Sequence, residues 1–593
     1  MAMNNTMSTV LVERKRKRKG KLEPQCRKFR HTNKARADSR VRKSFLTVLR
    51  HSNTQETKTA VIQSHSLDLR MTEHDLLHQE VFSETFLEQQ LKRPTCQTID
   101  TPYSHVVAKD VFNDSFLRRC LLELKTSLSA NFKETDLFKV YQTIDLANLE
   151  EQVIDPYSQV PSLIQLRETL YSQDFKSYVS IATGCGLLDG PVDCSCNIYT
   201  PGCHLLCHDD VIGTRRVSYI LYLSEPEEGW SVDDGGQLEL YDMAEDGVNP
   251  RTNPSASILP SWNSCVMFEV LPGQSFHAVR EVTSRTKTRV SISGWFHTMN
   301  DDERRSRIAT MSTLQQLKAG YGIVSSAPSA CLPRNVREIC RNKCTVDLRE
   351  WINPEYLDKD SMIKIKKCIS NDGSVVLHQF FLPEVIRAMA SVFNREDRKI
   401  VRGGIHYDNG CANGWHVIGP PHVNRYLVYS CPENYQERSE AGEMLEEIRR
   451  EVFVSIEFCL WLSAIFGRSV TYKRSQSRRF RPGLDYTLAF NGNCPQIDEL
   501  DVTACFAAGN EPLTWLTGDV GGFTCFDRQM SHKDEGPADV YETTSPDSTL
   551  TSVSPVFNSL SIVRIDGKTS SFVKFVSAFA SGSRWDVTSR FVS

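Results

Sequence analysis

Cys203-His204-Leu205-Leu206-Cys207-His208-Asp209-Asp210, near the middle of the chain, opens the stretch whose reading decides the fold; it closes with His277-Ala278-Val279-Arg280 and Arg289-Val290-Ser291-Ile292-Ser293-Gly294-Trp295. Between these ends the hydrophobic period is that of strands. Val217-Ser218-Tyr219-Ile220-Leu221-Tyr222-Leu223 is rich in aromatic and β-branched residues and predicts a buried strand. Gly235-Gly236-Gln237-Leu238-Glu239-Leu240-Tyr241 is a turn feeding a second. Ser264 to Val270 and Thr288 to Phe296 predict a third and a fourth. Short strands at close spacing, punctuated by Gly, Pro and Asn, predict an antiparallel barrel or sandwich and not βαβ units.

The same stretch carries the chemistry. Residues i and i+2 of a strand share a face, so a strand through this region projects His208 and Asp210 together and turns Asp209 away. A third ligand must then come from a distant strand. His277 follows Pro272-Gly273 and lies 67 residues beyond Asp210. Two imidazoles and one carboxylate on one face of a metal leave open positions, as in non-haem Fe(II) oxygenases. A 2-oxo acid chelating such a metal leaves a distal carboxylate that needs a buried cation. Arg289, on a strand with Ser291 and Ser293 on its face, offers a planar fork for it. Tyr199 and Tyr222 are candidate hydroxyl donors to the same acid. A His-X-Asp pair alone is a weak signal; its plain reading is a hydrogen-bonded surface histidine, with His277 a satisfied loop residue. A competing zinc site could draw on Cys194, Cys196, Cys203 and Cys207, but their spacings differ from the usual C-x2-C pairs, and buried core thiols are the simpler reading.

Outward from this centre, 593 residues are enough for several domains. Forty per cent hydrophobic and 24% charged residues match an ordinary globular protein. The net charge of -3 conceals an asymmetry: the first 50 residues hold 16 Lys and Arg against 3 Asp and Glu, so the remainder is acidic. A basic arm on an acidic body is a partner-binding layout. Residues 1–60 lack apolar periodicity and predict disorder. Arg14 to Lys21 is a cationic run of nuclear-localisation type, compatible with importin, RNA or ribosome attraction or with a plain solvated arm. With no apolar leader ahead of that run, the 19 cysteines predict free thiols in an intracellular, soluble protein; no apolar run predicts a membrane span.

Helices are predicted between Thr72 and Lys92, over Phe112 to Leu128 with Phe116, Leu117, Cys120, Leu121 and Leu124 at helical spacing, and within Asp145 to Gln173. A charged connector spans Asp301 to Arg341. Beyond it a second body is predicted, with a helix from Leu382 to Phe393, an acidic, charge-laced segment over Glu437 to Glu451, and an apolar helix over Val452 to Phe466. Strand-like runs follow at Tyr486 to Phe490, Val502 to Phe506, Gly521 to Phe526 and Leu560 to Val563. Ser531 to Ser554 has the composition of a mobile loop. Gly521-Gly522-Phe523-Thr524 echoes Gly235-Gly236-Gln237-Leu238, weak evidence for a duplicated β domain.

Leu205 to Asp210, Arg215-Arg216, Tyr219 to Leu223, Gly235 to Tyr241, Pro260-Ser261-Trp262-Asn263 and Ser291 to His297 together resemble the eukaryotic ribosomal-protein prolyl 3-hydroxylases. The similarity runs from about Thr101 to Thr298, with a weaker match in the C-terminal half through Gly419-Pro420-Pro421-His422. The resemblance implies a mainly β, α+β architecture: two tandem double-stranded β-helix (jelly-roll) domains flanked by helices, behind a basic arm. Its parts would be 1–95 (arm), 96–300 (catalytic), 301–345 (connector) and 346–593 (noncatalytic). It implies Fe(II) on His208, Asp210 and His277, 2-oxoglutarate on Arg289 aided by Tyr199 and Tyr222, O2 as oxidant and ascorbate as reductant. The implied substrate is a prolyl residue of the small-subunit ribosomal protein near the decoding centre, the place nucleus and cytoplasm, with links to translation, stress granules and, in fungi, oxygen-sensitive control of a transcription factor. No His-X-Asp stands in Leu488-Ala489-Phe490-Asn491, nor a distal His in Phe572 to Phe575, so the second domain is expected to bind no iron and to act in scaffolding or docking. The alternatives are a related oxygenase on another protein (a prolyl 4-hydroxylase or lysine demethylase) or a noncatalytic ribosome- or RNA-binding module.

Overall fold

The computed structural model describes residues 96–299, 346–401, 406–489, 499–509, 512–528, 549–565 and 569–592. The basic arm, the helices expected between Thr72 and Lys92, the connector 301–345, Phe490-Asn491 and most of the Ser531 to Ser554 loop lie outside these. The chain divides into two compact units, with described residues 96–299 in one and 346–592 in the other. No helix among the described residues is long and apolar enough to cross a membrane.

The first unit is a twelve-stranded antiparallel sheet. Its central neighbours are Ser264–Glu269, Arg215–Tyr222, Arg289–His297 and Ser195–Tyr199. Further along the sheet come His204–His208, His277–Val279 and Leu238–Leu240. The sheet curls back on itself: Leu238 and Leu240 pack with Ile220, Tyr222, Val266 and Phe268 from strands far away in sheet order. Alternate residues face opposite ways, as a pleated strand requires. Tyr219, Leu221, Cys265, Met267, Ile292 and Phe296 therefore face outward into a second apolar cluster with the helices. The helix Asp114–Ser127 buries Phe116, Leu117, Cys120, Leu121 and Leu124, and the Asn113 side chain caps it by accepting from the backbone N–H groups of Ser115 and Phe116. Pro161–Tyr171 and Gln173–Thr183 complete the helical layer.

The second unit has an eight-stranded and a three-stranded antiparallel sheet. The acidic segment forms the helix Glu440–Ile448, and the apolar one Ile456–Phe466. The stretch after Leu382 is two helices, Pro383–Ile386 and Met389–Val401, not one. The strand expected over Tyr486 to Phe490 is limited, among described residues, to Tyr486-Thr487. The end of the expected loop is a strand, Thr549–Val553, paired with Thr524 to Asp527.

The two units share more than a diglycine. Ser559–Ile565, Glu499–Ala507, Arg584–Val592 and Thr471–Phe480 are neighbours in the same order as the four central strands of the first unit. Arg289–His297 and Arg584–Val592 are both nine residues long and show the same sequence of buried and half-buried positions. Asn263 grips both backbone groups of Phe112 with its amide, and Asn558 does the same to Phe381. Both asparagines have left-handed φ, 55° and 57°. The two units thus agree in strand order, register and turn chemistry.

Candidate active site

His208 ends its strand, and His277 begins the strand paired with it, the two lying directly opposite. Their ring centroids are 4.2 Å apart. Each Nδ1 lies 2.8 Å from the carbonyl oxygen two residues earlier, Leu206 for His208 and Ser275 for His277. A carbonyl can only accept, so each Nδ1 donates there and each Nε2 faces the barrel interior, where it donates to Asp210 when protonated and offers a lone pair to a metal when not. Asp210 completes the cluster, with its Oδ1 3.1 Å from His208 Nε2 and its Oδ2 3.2 Å from His277 Nε2. Among the described residues this is the one group of three or more His, Cys, Asp or Glu side chains within metal-holding reach, all ligand atoms lying within 4.8 Å of one another.

The route to this convergence differs from the strand argument. Asp210 is not on the strand; it follows it with φ +61°, a left-handed residue. That turn swings its carboxylate back beside His208. Asp209 does turn away, and it is structural. Its carboxylate accepts from the backbone N–H groups of Val211 (3.2 Å) and Gly273 (3.3 Å), while its carbonyl accepts from Ser275 Oγ (3.0 Å). The loop bearing Asp210 is thereby tied to the loop bearing His277. Burial works to raise the Asp210 carboxyl, but the imidazoles of His277 and His208 outweigh it and hold the group well below the usual carboxylate range.

Two side chains that the sequence argument passes over orient Asp210. Ser218 Oγ donates to Oδ2 at 3.1 Å and Trp295 Nε1 at 3.0 Å. Trp295 shares the face of Arg289, Ser291 and Ser293 by simple alternation, a signal available in the sequence. Arg215 stacks on its indole, 3.4 Å from the ring centroid. Trp295→Phe keeps an aromatic ring under Arg215 and removes the N–H donor to Asp210. Metal affinity and turnover should fall about 10- to 100-fold, the usual cost of losing a partner of a metal ligand; iron titration of the variant measures it.

Deeper in the barrel, Arg289 is 1% exposed. Its Nε donates to the Gly236 carbonyl at 2.9 Å and Nη1 to Ser291 Oγ at 3.2 Å. Nη2 and the Tyr222 hydroxyl are buried with no partner. The guanidinium lies over the rings of Tyr199 and Tyr222, 4.7 and 5.1 Å from their centroids. Burial pushes the Tyr199 phenol up to about 12 and raises Tyr222 as well, both against the pull of Arg289, so both remain hydroxyls at neutral pH. Two unmet donors around one buried cation are the counterpart of an incoming carboxylate. The diglycine turn makes this grip possible. A Cβ on Gly235 would run into the Glu281 carbonyl oxygen, and one on Gly236 would crowd Arg289 Cδ at 3.0 Å. Ser293, by contrast, is held by Asn197 Nδ2 at 2.6 Å and plays no part in the pocket's unmet bonding.

The thiols do not converge. Cys194, Cys196, Cys203 and Cys207 are buried and in no disulfide, and burial pushes Cys194 up to about 12 and raises Cys196 and Cys203. Neutral core thiols are poor zinc ligands, because zinc needs thiolates.

Residues 194–297 match the 2OG-Fe(II) oxygenase superfamily, and residues 344–593 the "Oxoglutarate and iron-dependent oxygenase degradation C-term" family. The prolyl 3,4-dihydroxylase OGFOD1 of Ostreococcus tauri is 49% identical over 494 residues, 83% of this chain and 95% of that protein. The chain belongs to the OGFOD1 family of prolyl hydroxylases. The family's Mus musculus prolyl 3-hydroxylase OGFOD1 is 30% identical over 364 residues, 58% of this chain and 56% of that one. Prolyl 3-hydroxylase sudestada1 of Drosophila melanogaster is 26% identical over 490 residues, 81% of each. The family's cofactors are Fe(II) and 2-oxoglutarate with O2, and this chain's donor set fits them: two imidazole nitrogens and a carboxylate for the metal, and a buried guanidinium with an unmet N–H beside an unmet hydroxyl for the diacid.

Proposed function

We propose that this enzyme hydroxylates carbon 3 of a prolyl residue in the small-subunit ribosomal protein near the decoding centre, with His208, Asp210 and His277 as the iron ligands and Arg289 as the anchor of 2-oxoglutarate. The observation that carries the site is the convergence of the three ligand atoms in the same barrel as a buried, incompletely bonded arginine. Support for the substrate class comes from the relatives' names, which are prolyl hydroxylases.

When bound, the iron supplies the activation of O2 coupled to conversion of 2-oxoglutarate to succinate and CO2. The chain's own work is placement and shielding. His208 and His277 present fixed Nε2 lone pairs because their Nδ1 protons are committed to backbone carbonyls. Ser218 and Trp295 hold Asp210 in one rotamer. Arg289 and Tyr222 take the distal carboxylate, with the Tyr199 ring against the guanidinium. Ile220, Leu238, Leu240, Val266 and Phe268 make an apolar wall that keeps water from competing. Ascorbate as reductant, a nuclear and cytoplasmic location, and ribosome, RNA or importin contacts of the Arg14 to Lys21 run complete the proposal; the cationic composition of that run supports the last two.

The test is mass spectrometry of a peptide from that ribosomal protein after incubation with the enzyme, Fe(II), O2 and 2-oxoglutarate. One added oxygen on proline, at carbon 3, is expected. The name of the Ostreococcus tauri relative, a prolyl 3,4-dihydroxylase, makes a second oxygen a further outcome to seek in the same spectrum. Unmodified peptide with continued succinate release would overturn the substrate and leave the oxygenase chemistry standing.

A further inference from the structure

The interior of the second barrel has been rebuilt, and the rebuilding leaves it positively charged. Asp586, at the register of Ser291, takes Arg584, which stands at the register of Arg289 and still donates to a diglycine carbonyl, that of Gly522. Where the first barrel leaves its arginine open to a diacid, the second closes it with its own carboxylate. Arg590, at the register of Trp295, bonds Ser571 Oγ at 2.8 Å and Asp501 at 2.9 Å. Beside these pairs lies a cavity of about 250 Å³ whose wall includes Arg474, Arg478, Asp501 and Arg590. Arg478 shares Asp586, at 2.7 and 3.0 Å, and Arg474 has no carboxylate partner among the described residues. The cavity wall thus holds three guanidiniums, those of Arg474, Arg478 and Arg590, against the single carboxylate of Asp501, with Asp586 bonded to Arg478 from outside the lining. Asn424 Oδ1, on the same wall, is buried without a partner; turning that amide exchanges the oxygen for a donor.

We propose that this cavity binds a small oxyanion, a carboxylate- or phosphate-bearing metabolite, held by Arg474 and Arg478 with Asn424 as a neutral donor. Surplus positive charge in a concavity draws an anion, and guanidinium forks suit planar or tetrahedral oxyanions. The volume lies below that of drug-sized sites and admits on the order of ten non-hydrogen atoms. The site is separate from the iron centre and does not depend on the reaction assigned to it.

Full-length protein carrying Arg289→Ala, which silences the diacid site of the first barrel, is titrated calorimetrically at low salt with inorganic phosphate, succinate and citrate in turn. At least one should bind with submillimolar affinity, and which one separates a phosphate source from a carboxylate source. Adding Arg474→Gln should weaken that binding about 10-fold, and Arg474→Glu should abolish it. Arg474 is exposed, so neither change should alter the thermal unfolding midpoint. Absence of submillimolar binding for all three anions, or binding that survives Arg474→Glu, overturns the proposal.

Discussion

His208→Ala, and likewise Asp210→Ala, should abolish both succinate release and peptide hydroxylation. Removing a partner of a metal ligand costs about 10- to 100-fold, so removing a ligand should exceed that range and leave iron unbound at micromolar metal. The two substitutions should differ in stability. His208 bonds outward only to the Leu206 carbonyl, and its loss opens a small gap. Asp210 is buried and accepts from Ser218 Oγ and Trp295 Nε1, and its loss strands both donors at a cost of about 1–3 kcal/mol each. Iron content and thermal unfolding of the two variants, measured side by side, check both statements. Wild-type turnover in either variant would rule out this ligand set.

Arg289→Ala should act on 2-oxoglutarate rather than on the metal. A charge-assisted hydrogen bond contributes about 1.5–3 kcal/mol, and a forked guanidinium supplies more than one, so the apparent affinity for 2-oxoglutarate should fall at least about 10- to 150-fold. Iron binding should persist, since Arg289 bonds Gly236 and Ser291 and none of the three ligands. Arg289→Lys should recover little, because an ammonium lacks the fork that meets the Gly236 carbonyl, Ser291 and an incoming carboxylate together. Titration of 2-oxoglutarate under single-turnover conditions decides it; an unchanged affinity removes Arg289 from this role.

Strand composition and turn chemistry made much of the first barrel legible. Val217 to Leu223, Ser264 to Val270 and Thr288 to Phe296 are rich in aromatic and β-branched residues, and each coincides with a strand to within a residue or two. The helix over Phe112 to Leu128 shows its buried stripe in the residues themselves. Thr471–Phe480 was hidden because Tyr472-Lys473-Arg474-Ser475-Gln476-Ser477-Arg478-Arg479 has the composition of a solvated loop. Its charges are tolerable inside only through carboxylates contributed from afar, as Asp397 does for the fully buried Arg479 at 2.7 Å. No local pattern encodes such a pairing. Asp210 illustrates a subtler limit. The i, i+2 rule placed it correctly beside His208, yet the backbone arrives there through a left-handed turn that strand logic does not contain.

The clasp through which Asp209 joins the Gly273–Ser275 loop has a consequence for how the protein meets its metal. Both loops that carry the proposed ligands are fastened by groups outside that set, so the cage stands before any ion arrives. Chelation should therefore strip activity while leaving the domain folded, and re-addition of iron should restore it without a refolding lag, unlike modules whose metal is their scaffold. Cells that run short of iron would then hold a reserve of intact, silent enzyme, ready to resume as supply returns.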